Sequence, residues 1–254
     1  MHTRQLEYVK AFLFICGMNK TALVTGASKG IGKVIAIKLA EMGYNLAIIG
    51  RNKSELLYSQ KEIKKYNVDC VFMVIDLSKP DAPADLIKEV INKFGCLDVV
   101  INNAGLANVM PLKDTSVEMW DKIFKVNARA PYFICKEAIP HLKESQNPVI
   151  INMGSVVGFK GYMNQSVYAS SKHALAGFTK VLAKEVQADG IKVHLISPGG
   201  VNTEMVQEMR PDINTHELIQ PEEIAELIEF LLTRKGRGTI DHFYIRRQTG
   251  LAFD

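Results

Sequence analysis

A serine, a tyrosine and a lysine in the middle of the chain could do chemistry together. They are Ser155, Tyr168 and Lys172. Tyr168 and Lys172 stand four residues apart in a helical pattern, so both side chains lie on one helix face and can reach a common ligand. A phenol can exchange a proton with a carbonyl or alcohol oxygen, and a serine hydroxyl can donate a hydrogen bond to that oxygen. This set suits carbonyl reduction or alcohol oxidation and needs no metal.

The tyrosine–lysine spacing is weak as a signal on its own, because a second copy occurs at Tyr132 and Lys136. The residue thirteen positions before Tyr132 is Met119, which has no hydroxyl, whereas Ser155 stands thirteen before Tyr168 at the end of an apolar run. We interpret the Tyr132 pair as core packing and a surface charge.

A glycine-rich turn near the start of the chain predicts a phosphate-binding site. It follows the apolar run 21–24, precedes a helical pattern, and reads Thr25-Gly26-Ala27-Ser28-Lys29-Gly30-Ile31-Gly32. Glycines let the backbone approach a pyrophosphate closely, and the helix N-terminus offers N–H groups and a positive dipole end. The alternative is a plain strand-to-helix turn.

Two cations indicate which dinucleotide the turn would hold. Arg51 follows the second predicted strand, where an acidic residue would bind the ribose 2′-hydroxyl of NAD and an arginine suits the 2′-phosphate of NADP. Lys29 adds a cation on the same side. With two cations and no carboxylate, the sequence favours NADP(H). Alternatively, Arg51 is a solvated loop residue beside a helix cap at Asn52 or Ser54.

The phenol of Tyr168 must become more acidic to act as a base at neutral pH. Lowering its pKa from about 10 to near 7 takes about 3 units, or about 4 kcal/mol. The Lys172 ammonium, helped by the positive ring of an oxidised nicotinamide coenzyme, is the right kind of perturbation. We therefore expect Lys172 to lower the pKa of Tyr168.

Polar residues follow two further predicted strands. Asp76 could accept a hydrogen bond from an adenine amino group, or could equally be an ordinary loop carboxylate. The segment 102–105 reads Asn-Asn-Ala-Gly, in which small residues let the backbone pass close to a ring and asparagines can tie the loop to neighbouring strands. A simple turn is the alternative for this segment.

The elements that must position these residues alternate regularly. Strands are predicted at 21–24, 45–50, 70–75, 97–101, 149–152, 191–196 and 239–245, and helices at 33–42, 54–66, 83–94, 117–126, 131–143, 166–188 and 221–232. This alternation predicts an α/β fold: a single-domain, doubly wound parallel sheet of the Rossmann type, with helices on both faces. The ligand crevice of such a sheet lies at the carboxyl ends of the strands.

Composition excludes several classes of protein. The net charge of +4, from 31 basic and 27 acidic residues, is too balanced to indicate nucleic-acid binding, and we interpret the basic clusters near 234–237 and 246–247 as solvated positions. The four cysteines form no metal-binding spacing with the histidines and suggest buried thiols in a reducing, cytoplasmic compartment.

We divide the chain into an N-terminal extension, residues 1–17, and one domain, residues 18–254. The apolar run 11–16 is too short to span a membrane and unlike a signal peptide. The extension is either an upstream addition of little consequence or a short helix that packs on the domain or on a partner.

Taken together, these motifs closely resemble the short-chain dehydrogenase/reductase family over residues 19–203, and the chain is similar to its 3-oxoacyl-[acyl-carrier-protein] reductases. The resemblance implies a seven-stranded sheet, an NADP(H)-dependent activity and a catalytic set of Asn127, Ser155, Tyr168 and Lys172. It implies that Asn127 kinks its helix and holds a water that relays protons to Lys172. It also implies that Lys172 binds the nicotinamide ribose and that Thr203 contacts the nicotinamide carboxamide.

The resemblance and the motifs together give a full set of expected contacts. The expected coenzyme-binding residues are Gly26, Ser28, Lys29, Gly30, Ile31, Gly32, Arg51, Asp76, Leu77, Asn103, Ala104, Gly105, Tyr168, Lys172, Pro198, Gly199, Val201 and Thr203. The expected substrate-binding residues are Ser155, Gln165 and Tyr168.

The C-terminal part departs from the family pattern, since 243–250 replaces the usual Val-Asp-Gly-Gly ending. We expect residues 205–220 to form a substrate lid over a partly apolar substrate, and Phe159, Tyr162 and Met163 to line the same pocket with Gln165. The resemblance also implies a homotetramer or dimer joined through the helices 131–143 and 166–188, with Tyr132, Phe133, Phe178 and Val181 as interface or core residues.

Two functions follow from different classes. The first is an NADP(H)-dependent oxidoreductase that transfers hydride between the coenzyme and a carbonyl or secondary alcohol, such as a 3-oxoacyl thioester. The second is a non-catalytic NADP(H)-binding sensor or scaffold, which would be expected to lack part of the catalytic set. A third, nucleic-acid binding by the basic C-terminal end, has no motif to support it.

Overall fold

The computed structural model describes residues 20–209, 211 and 213–251. The predicted extension, residues 1–17, lies outside the described residues. The described part contains one seven-stranded sheet with the order β3-β2-β1-β4-β5-β6-β7, in which every neighbouring pair is parallel. The strands are β1 (Thr21–Thr25), β2 (Asn45–Gly50), β3 (Cys70–Val74), β4 (Val99–Asn102), β5 (Val149–Met153), β6 (Lys192–Pro198) and β7 (His242–Ile245). The predicted single-domain Rossmann fold is confirmed.

Helices cover both faces of the sheet. They are α1 (Gly30–Glu41), α2 (Lys53–Ile63), α3 (Ala82–Phe94), α4 (Val117–Phe124), α5 (Ala130–Leu142), α6 (Ser166–Glu185), α7 (Glu204–Met209) and α8 (Pro221–Thr233). Among the described residues, no helix is both long and apolar enough to span a bilayer.

Two apolar layers hold the helices to the sheet. The layer on one face packs α1, α2 and α8 against the strands, and the layer on the other face packs α3, α5 and α6. Successive residues of β1 alternate between them: Ala22 and Val24 belong to the first layer and Leu23 to the second. A strand buried on both faces explains the continuous apolar runs in the sequence.

Several boundaries differ from the sequence-based expectation by one to three residues. Helix α1 begins at Gly30 rather than residue 33, so the end of the glycine turn is already helical. The gap expected between the helices 117–126 and 131–143 is filled by a π-helical turn, Lys125–Arg129. Strand β7 begins at His242 rather than 239, because pairing with β6 starts only at His242.

Gly32 has no room for a side chain. A Cβ atom there would overlap the carbonyl oxygen of Gly26 and the side-chain amide of Asn103. We expect Gly32→Ala to lower the free energy of unfolding by about 1–3 kcal/mol, as overpacking does in a well-packed interior. Gly177 in α6 is the matched control, since its Cβ would meet nothing within 4 Å. There alanine should raise that free energy by up to about 1 kcal/mol.

Urea unfolding of both variants measures this difference. Equal stability of the two variants would show that the turn is not packed as closely as described.

Candidate active site

A crevice of about 470 Å³ runs along the carboxyl edge of the sheet. Most of the residues expected to bind coenzyme or substrate line it together. They are Gly26, Ser28, Lys29, Gly30, Ile31, Arg51, Asp76, Leu77, Asn103, Ala104, Gly105, Ser155, Tyr168, Lys172, Pro198, Gly199, Val201 and Thr203. The parallel sheet explains this convergence, because the segments after its strands all emerge at one edge.

Three of the expected residues do not line the crevice. Gly32 lies beneath the glycine turn, and Asn127 is fully buried behind the loop that follows β4. Gln165 is buried at the residue before α6. The expectation that Gln165 contacts substrate stays a prediction.

The glycine turn provides a site for an anion at the start of α1. Gly26 has a positive φ of 67°, and a Cβ there would come 2.8 Å from the Cα of Ala104. Helix α1 has no side-chain cap at Lys29 and no acidic residue in its first turn. Its first N–H groups and positive dipole end are therefore available to a phosphate. The turn fits the diphosphate of a dinucleotide.

Hydrogen bonds hold this turn to the loop after β4. The Thr25 hydroxyl accepts bonds from the backbone N–H groups of Asn103 and Ala104, both at 3.0 Å. In return, the Asn103 amide donates to the carbonyl oxygens of Thr25 at 3.0 Å and Gly26 at 3.1 Å. The expectation that asparagine ties this loop to a neighbouring strand is confirmed. No pattern in the sequence indicates the part played by the Thr25 hydroxyl.

Arg51 and Asp76 stand at the ends of β2 and β3. The exposed side chain of Arg51 lines the crevice, while Asn52 caps α2 by accepting from the N–H groups of Ser54 and Glu55. Asp76 accepts from the N–H of Ser78 at 2.9 Å. Hydrogen bonding to Ser78, helped by the weaker effects of the charges of Lys79 and Arg51, lowers the pKa of Asp76. Asp76 thus shapes its own loop and lines the crevice as well.

The sequence predicts that Lys29 and Arg51 form a cationic site with no carboxylate beside them. For Lys29 this prediction is wrong. Helix α7 brings Glu204 onto the Lys29 ammonium, and the two form an ion pair and hydrogen bond. The hydrogen bond to Glu204 raises the pKa of Lys29. The two residues are 175 positions apart, so only the folded chain reveals the contact.

The chemically active side chains meet at the ends of β5 and α6. Ser155 follows β5 and accepts from the N–H of Val157 at 3.3 Å. Tyr168 lies in the first turn of α6, and the Lys172 ammonium one turn later lies 5.9 Å from the centre of the Tyr168 ring. Lys172 is 4 % exposed and donates to the carbonyl oxygen of Met153 at 2.7 Å. A serine hydroxyl, a phenol and an ammonium therefore share one end of the crevice.

Asn127 holds the neighbouring loop from behind. It lies in the π-helical turn that interrupts the α-helical run between α4 and α5. The expectation that Asn127 kinks the helix stays a prediction. Its side-chain oxygen accepts from the N–H of Leu106, and its amide donates to the Leu106 carbonyl, both at 2.7 Å. The amide also donates to the Ser171 hydroxyl at 3.0 Å. These bonds fix the loop after β4 against α6.

The sequence predicts a lowered pKa for Tyr168. For the protein without a bound coenzyme, that direction is wrong. Burial raises the pKa of Tyr168, and the hydrogen bond from Ser155 acts in the opposite direction. Burial also lowers the pKa of Lys172, to about 8. The reason is shared: removing charge from water disfavours the phenolate and the ammonium alike.

The residues beyond the catalytic set differ partly from expectation. Phe159, Tyr162 and Met163 are not among the described residues that line the crevice, and Phe159 instead stacks on His242 at 4.7 Å. Part of the apolar lining comes from α7 and from the loop after β4. These side chains are Leu106, Ala107, Met205, Val206 and Met209. Leu106 and Ala107 were missed because nothing in their types marks them as functional.

The second tyrosine–lysine pair lies elsewhere on the molecule. Tyr132 is 49 % exposed and packs against Phe178 with 4.8 Å between ring centres, so its interpretation as core packing is wrong. Lys136 is exposed and lies 3.3 Å from the carboxylate of Glu137, which agrees with a surface charge.

The fold and the crevice define a dinucleotide-binding α/β protein with a serine–tyrosine–lysine group at its ligand end. The family model described as short chain dehydrogenase matches residues 20–214. The chain belongs to the short-chain dehydrogenase/reductase family of oxidoreductases, whose members use a nicotinamide coenzyme on small-molecule substrates.

Individual relatives agree with this assignment. The chain is 33 % identical over 243 residues to the 3-oxoacyl-[acyl-carrier-protein] reductase FabG of Staphylococcus epidermidis, covering 91 % of this chain and 96 % of the relative. A crystal structure of a metagenomic short-chain oxidoreductase in complex with NADP is 30 % identical, with a TM-score of 0.79 over 90 % of this chain and 97 % of that one. An alcohol dehydrogenase from the archaeon Thermococcus sibiricus, complexed with 5-hydroxy-NADP, is 27 % identical, with a TM-score of 0.84 over 92 % and 99 %.

The buried ammonium of Lys172 should make the protein less stable at neutral pH than it would be without the charge. The folded-state pKa of about 8 lies below the ordinary 10.5, so between these values the unfolded chain binds more protons. The unfavourable contribution of Lys172 to the free energy of unfolding should therefore shrink from about pH 8 to pH 10, while the buried thiols of Cys70 and Cys135, with pKa values raised from 9.0 to about 12, act in the opposite direction in both chains. Lys172→Met should exceed the natural chain in free energy of unfolding by about 1–3 kcal/mol at pH 7, and this difference should shrink toward pH 10.

Urea unfolding between pH 7 and 10 measures both effects, with the exposed Lys184 of the same helix as control in Lys184→Met. The control should stay within about 0.5 kcal/mol of the natural chain. A loss of stability in Lys172→Met at pH 7 would contradict the unfavourable burial of this charge.

Proposed function

We propose that the protein is an NADP(H)-dependent oxidoreductase that interconverts a carbonyl compound and its secondary alcohol. The observation that carries this proposal is the placement of Ser155, Tyr168 and Lys172 at one end of a crevice whose other parts include the glycine turn and Arg51. The NADP complex of a related structure supports the choice of coenzyme.

The side chains of this chain divide the work as follows. Ser155 donates a hydrogen bond to the substrate oxygen and orients the carbonyl carbon toward the coenzyme face of the crevice. Tyr168 gives its phenolic proton to that oxygen during reduction and takes it back during oxidation. The coenzyme, when bound, supplies or accepts the hydride.

Lys172 acts on Tyr168 and on the coenzyme. Its ammonium, 5.9 Å from the centre of the Tyr168 ring, favours the phenolate that remains after proton transfer. The side chain also lines the crevice, which supports the proposal that its ammonium donates to the nicotinamide ribose. Asn127 positions this end of the site through Leu106 and Ser171, and we retain the proposal that it holds a proton-relaying water.

The substrate we propose is medium-sized and partly apolar, and a 3-oxoacyl thioester is the first candidate. Met205, Val206 and Met209 of α7 give the crevice an apolar wall at the expected lid. Similarity to a 3-oxoacyl-[acyl-carrier-protein] reductase supports a thioester. Since the C-terminal segment departs from the family pattern, ketones and aldehydes belong in the same assay.

We also propose a homotetramer in a cytoplasmic, reducing compartment. Exposed apolar side chains on α5 and α6 support association through these helices, among them Tyr132, Phe133 and Val181. The free thiols of Cys70, Cys96 and Cys135 fit a reducing environment.

The proton-transfer role of Tyr168 is tested by Tyr168→Phe. Removing the hydroxyl should lower kcat for NADPH-dependent carbonyl reduction by about 10²–10⁴-fold, the usual contribution of a positioned general acid. Coenzyme affinity, measured by titration calorimetry, should change by less than about twofold because the ring is retained. Tyr132→Phe is the matched control and should keep full activity.

Two results would contradict the proposal. Full turnover by Tyr168→Phe would remove Tyr168 from the chemistry. Tight NADPH binding by the natural chain without turnover on any carbonyl compound would favour a sensor or scaffold.

The coenzyme preference is tested by Arg51→Ala. If Arg51 binds the 2′-phosphate, the variant should raise the KM for NADPH about 10- to 100-fold, the worth of a charge-assisted hydrogen bond. The KM for NADH should change little. Lys53→Ala removes a neighbouring exposed cation and serves as control. A natural preference for NADH, or an equal effect of Arg51→Ala on both coenzymes, would contradict this assignment.

A further inference from the structure

Helix α7 touches the glycine turn at two points. Glu204, the first residue of α7, pairs with Lys29 in the turn. One residue earlier, Thr203 lies against Gly30: a Cβ on that glycine would come 3.3 Å from the Thr203 methyl group. The start of α7 is therefore seated on the part of the chain that faces the coenzyme phosphates.

The Lys29 ammonium has two possible anionic partners at this place. Lys29 lines the crevice, where the sequence predicts that it favours the 2′-phosphate of NADP(H) from the same side as Arg51. The structure already gives it the carboxylate of Glu204, and the side chains of the pair are 54 % and 65 % exposed. Glu55 and Glu208 add weaker attraction to the same ammonium. A phosphate that approaches Lys29 must therefore displace or oppose a carboxylate.

We propose that Glu204 sets the coenzyme preference by competing with the 2′-phosphate for Lys29. This inference rests on the proposed function and adds a specificity-determining residue to it. NAD(H), which has only a hydroxyl at this position, leaves the pair intact. The 2′-phosphate of NADP(H) pairs with Lys29 in place of Glu204, and α7 is released from the glycine turn. Because α7 carries the apolar wall of the crevice, the contact between that wall and the turn depends on which coenzyme is bound.

The energy of this competition is limited. Exposed ion pairs contribute roughly 0.2–1 kcal/mol, which corresponds to at most about fivefold in affinity. Removing the carboxylate also removes its repulsion toward a phosphate dianion. We expect Glu204→Gln to tighten binding of a 2′-phosphorylated nucleotide by about three- to tenfold at low ionic strength, with a smaller gain at high salt.

Nucleotide fragments isolate this effect from catalysis. Titration calorimetry should compare 2′,5′-ADP, which carries the 2′-phosphate, with 5′-AMP, which lacks it. Glu204→Gln should gain affinity for 2′,5′-ADP alone, and the gain should vanish when Lys29→Ala is added. Glu208→Gln makes the same charge change on the same helix and exerts the weakest of the three attractions on Lys29, so its gain should be clearly smaller.

Hydrogen exchange in residues 203–209 gives a second measurement. Val206 and Gln207 donate their N–H groups to the Thr203 carbonyl, both at 3.0 Å, at the start of α7. Saturating 2′,5′-ADP should make these amides exchange faster than saturating 5′-AMP does. Slower exchange with 2′,5′-ADP would overturn the proposed release.

The outcomes distinguish a failure of the proposed competition from a failure of the proposed NADP(H)-dependent function. If the natural chain prefers 2′,5′-ADP but Glu204→Gln gains nothing, loses affinity, or gains no more than Glu208→Gln, only the competition fails. If the natural chain binds 2′,5′-ADP no more tightly than 5′-AMP, the competition and the NADP(H) preference both fail.

Discussion

The crevice depends on how closely the glycine turn after β1 packs against the loop after β4. Four hydrogen bonds cross this contact: the Thr25 hydroxyl accepts two from backbone N–H groups, and the Asn103 amide donates two to backbone carbonyl oxygens. Gly26 and Gly32 leave no space for side chains between the two segments. One segment presents the N-terminus of α1 to a phosphate. The other continues to Gly105 and Leu106, beside the catalytic set. The contact thus sets the position of the proposed phosphate site relative to the proposed site of chemistry.

From Leu106 the same chain of contacts reaches the lysine. Asn127 bonds to both backbone groups of Leu106 and to Ser171 of α6, one residue before Lys172. Its side-chain oxygen and the Lys172 ammonium lie 3.6 and 3.7 Å from where a Cβ on Gly105 would sit. A Cβ on Gly105 would therefore be in ordinary van der Waals contact with both groups. Burial of the Lys172 ammonium opposes folding. It also puts the cation in a region of low dielectric constant, where its charge acts more strongly on Tyr168.

Much of the fold could be predicted because its signals are local. Apolar runs alternating with helical patterns identified the strands, and parallel pairing then brought the residues after each strand to one edge. Features that arise between distant segments could not be predicted. The pair of Lys29 with Glu204 joins positions 175 residues apart, and the stacking of Phe159 on His242 depends on the edge strand β7. The raised pKa of Tyr168 could not be predicted from the sequence either, because the spacing indicates a nearby charge and does not indicate how deeply the phenol is buried.

The most direct test of the account is isotope transfer in a single turnover. Stoichiometric enzyme is mixed with NADPH deuterated at the reactive C4 position and a 3-oxoacyl thioester, ketone or aldehyde, and the product is analysed by mass spectrometry. The proposed reaction predicts one deuterium on the former carbonyl carbon of the alcohol product. A bound coenzyme that keeps its deuterium in the presence of every carbonyl compound would contradict the assignment of this crevice to carbonyl reduction.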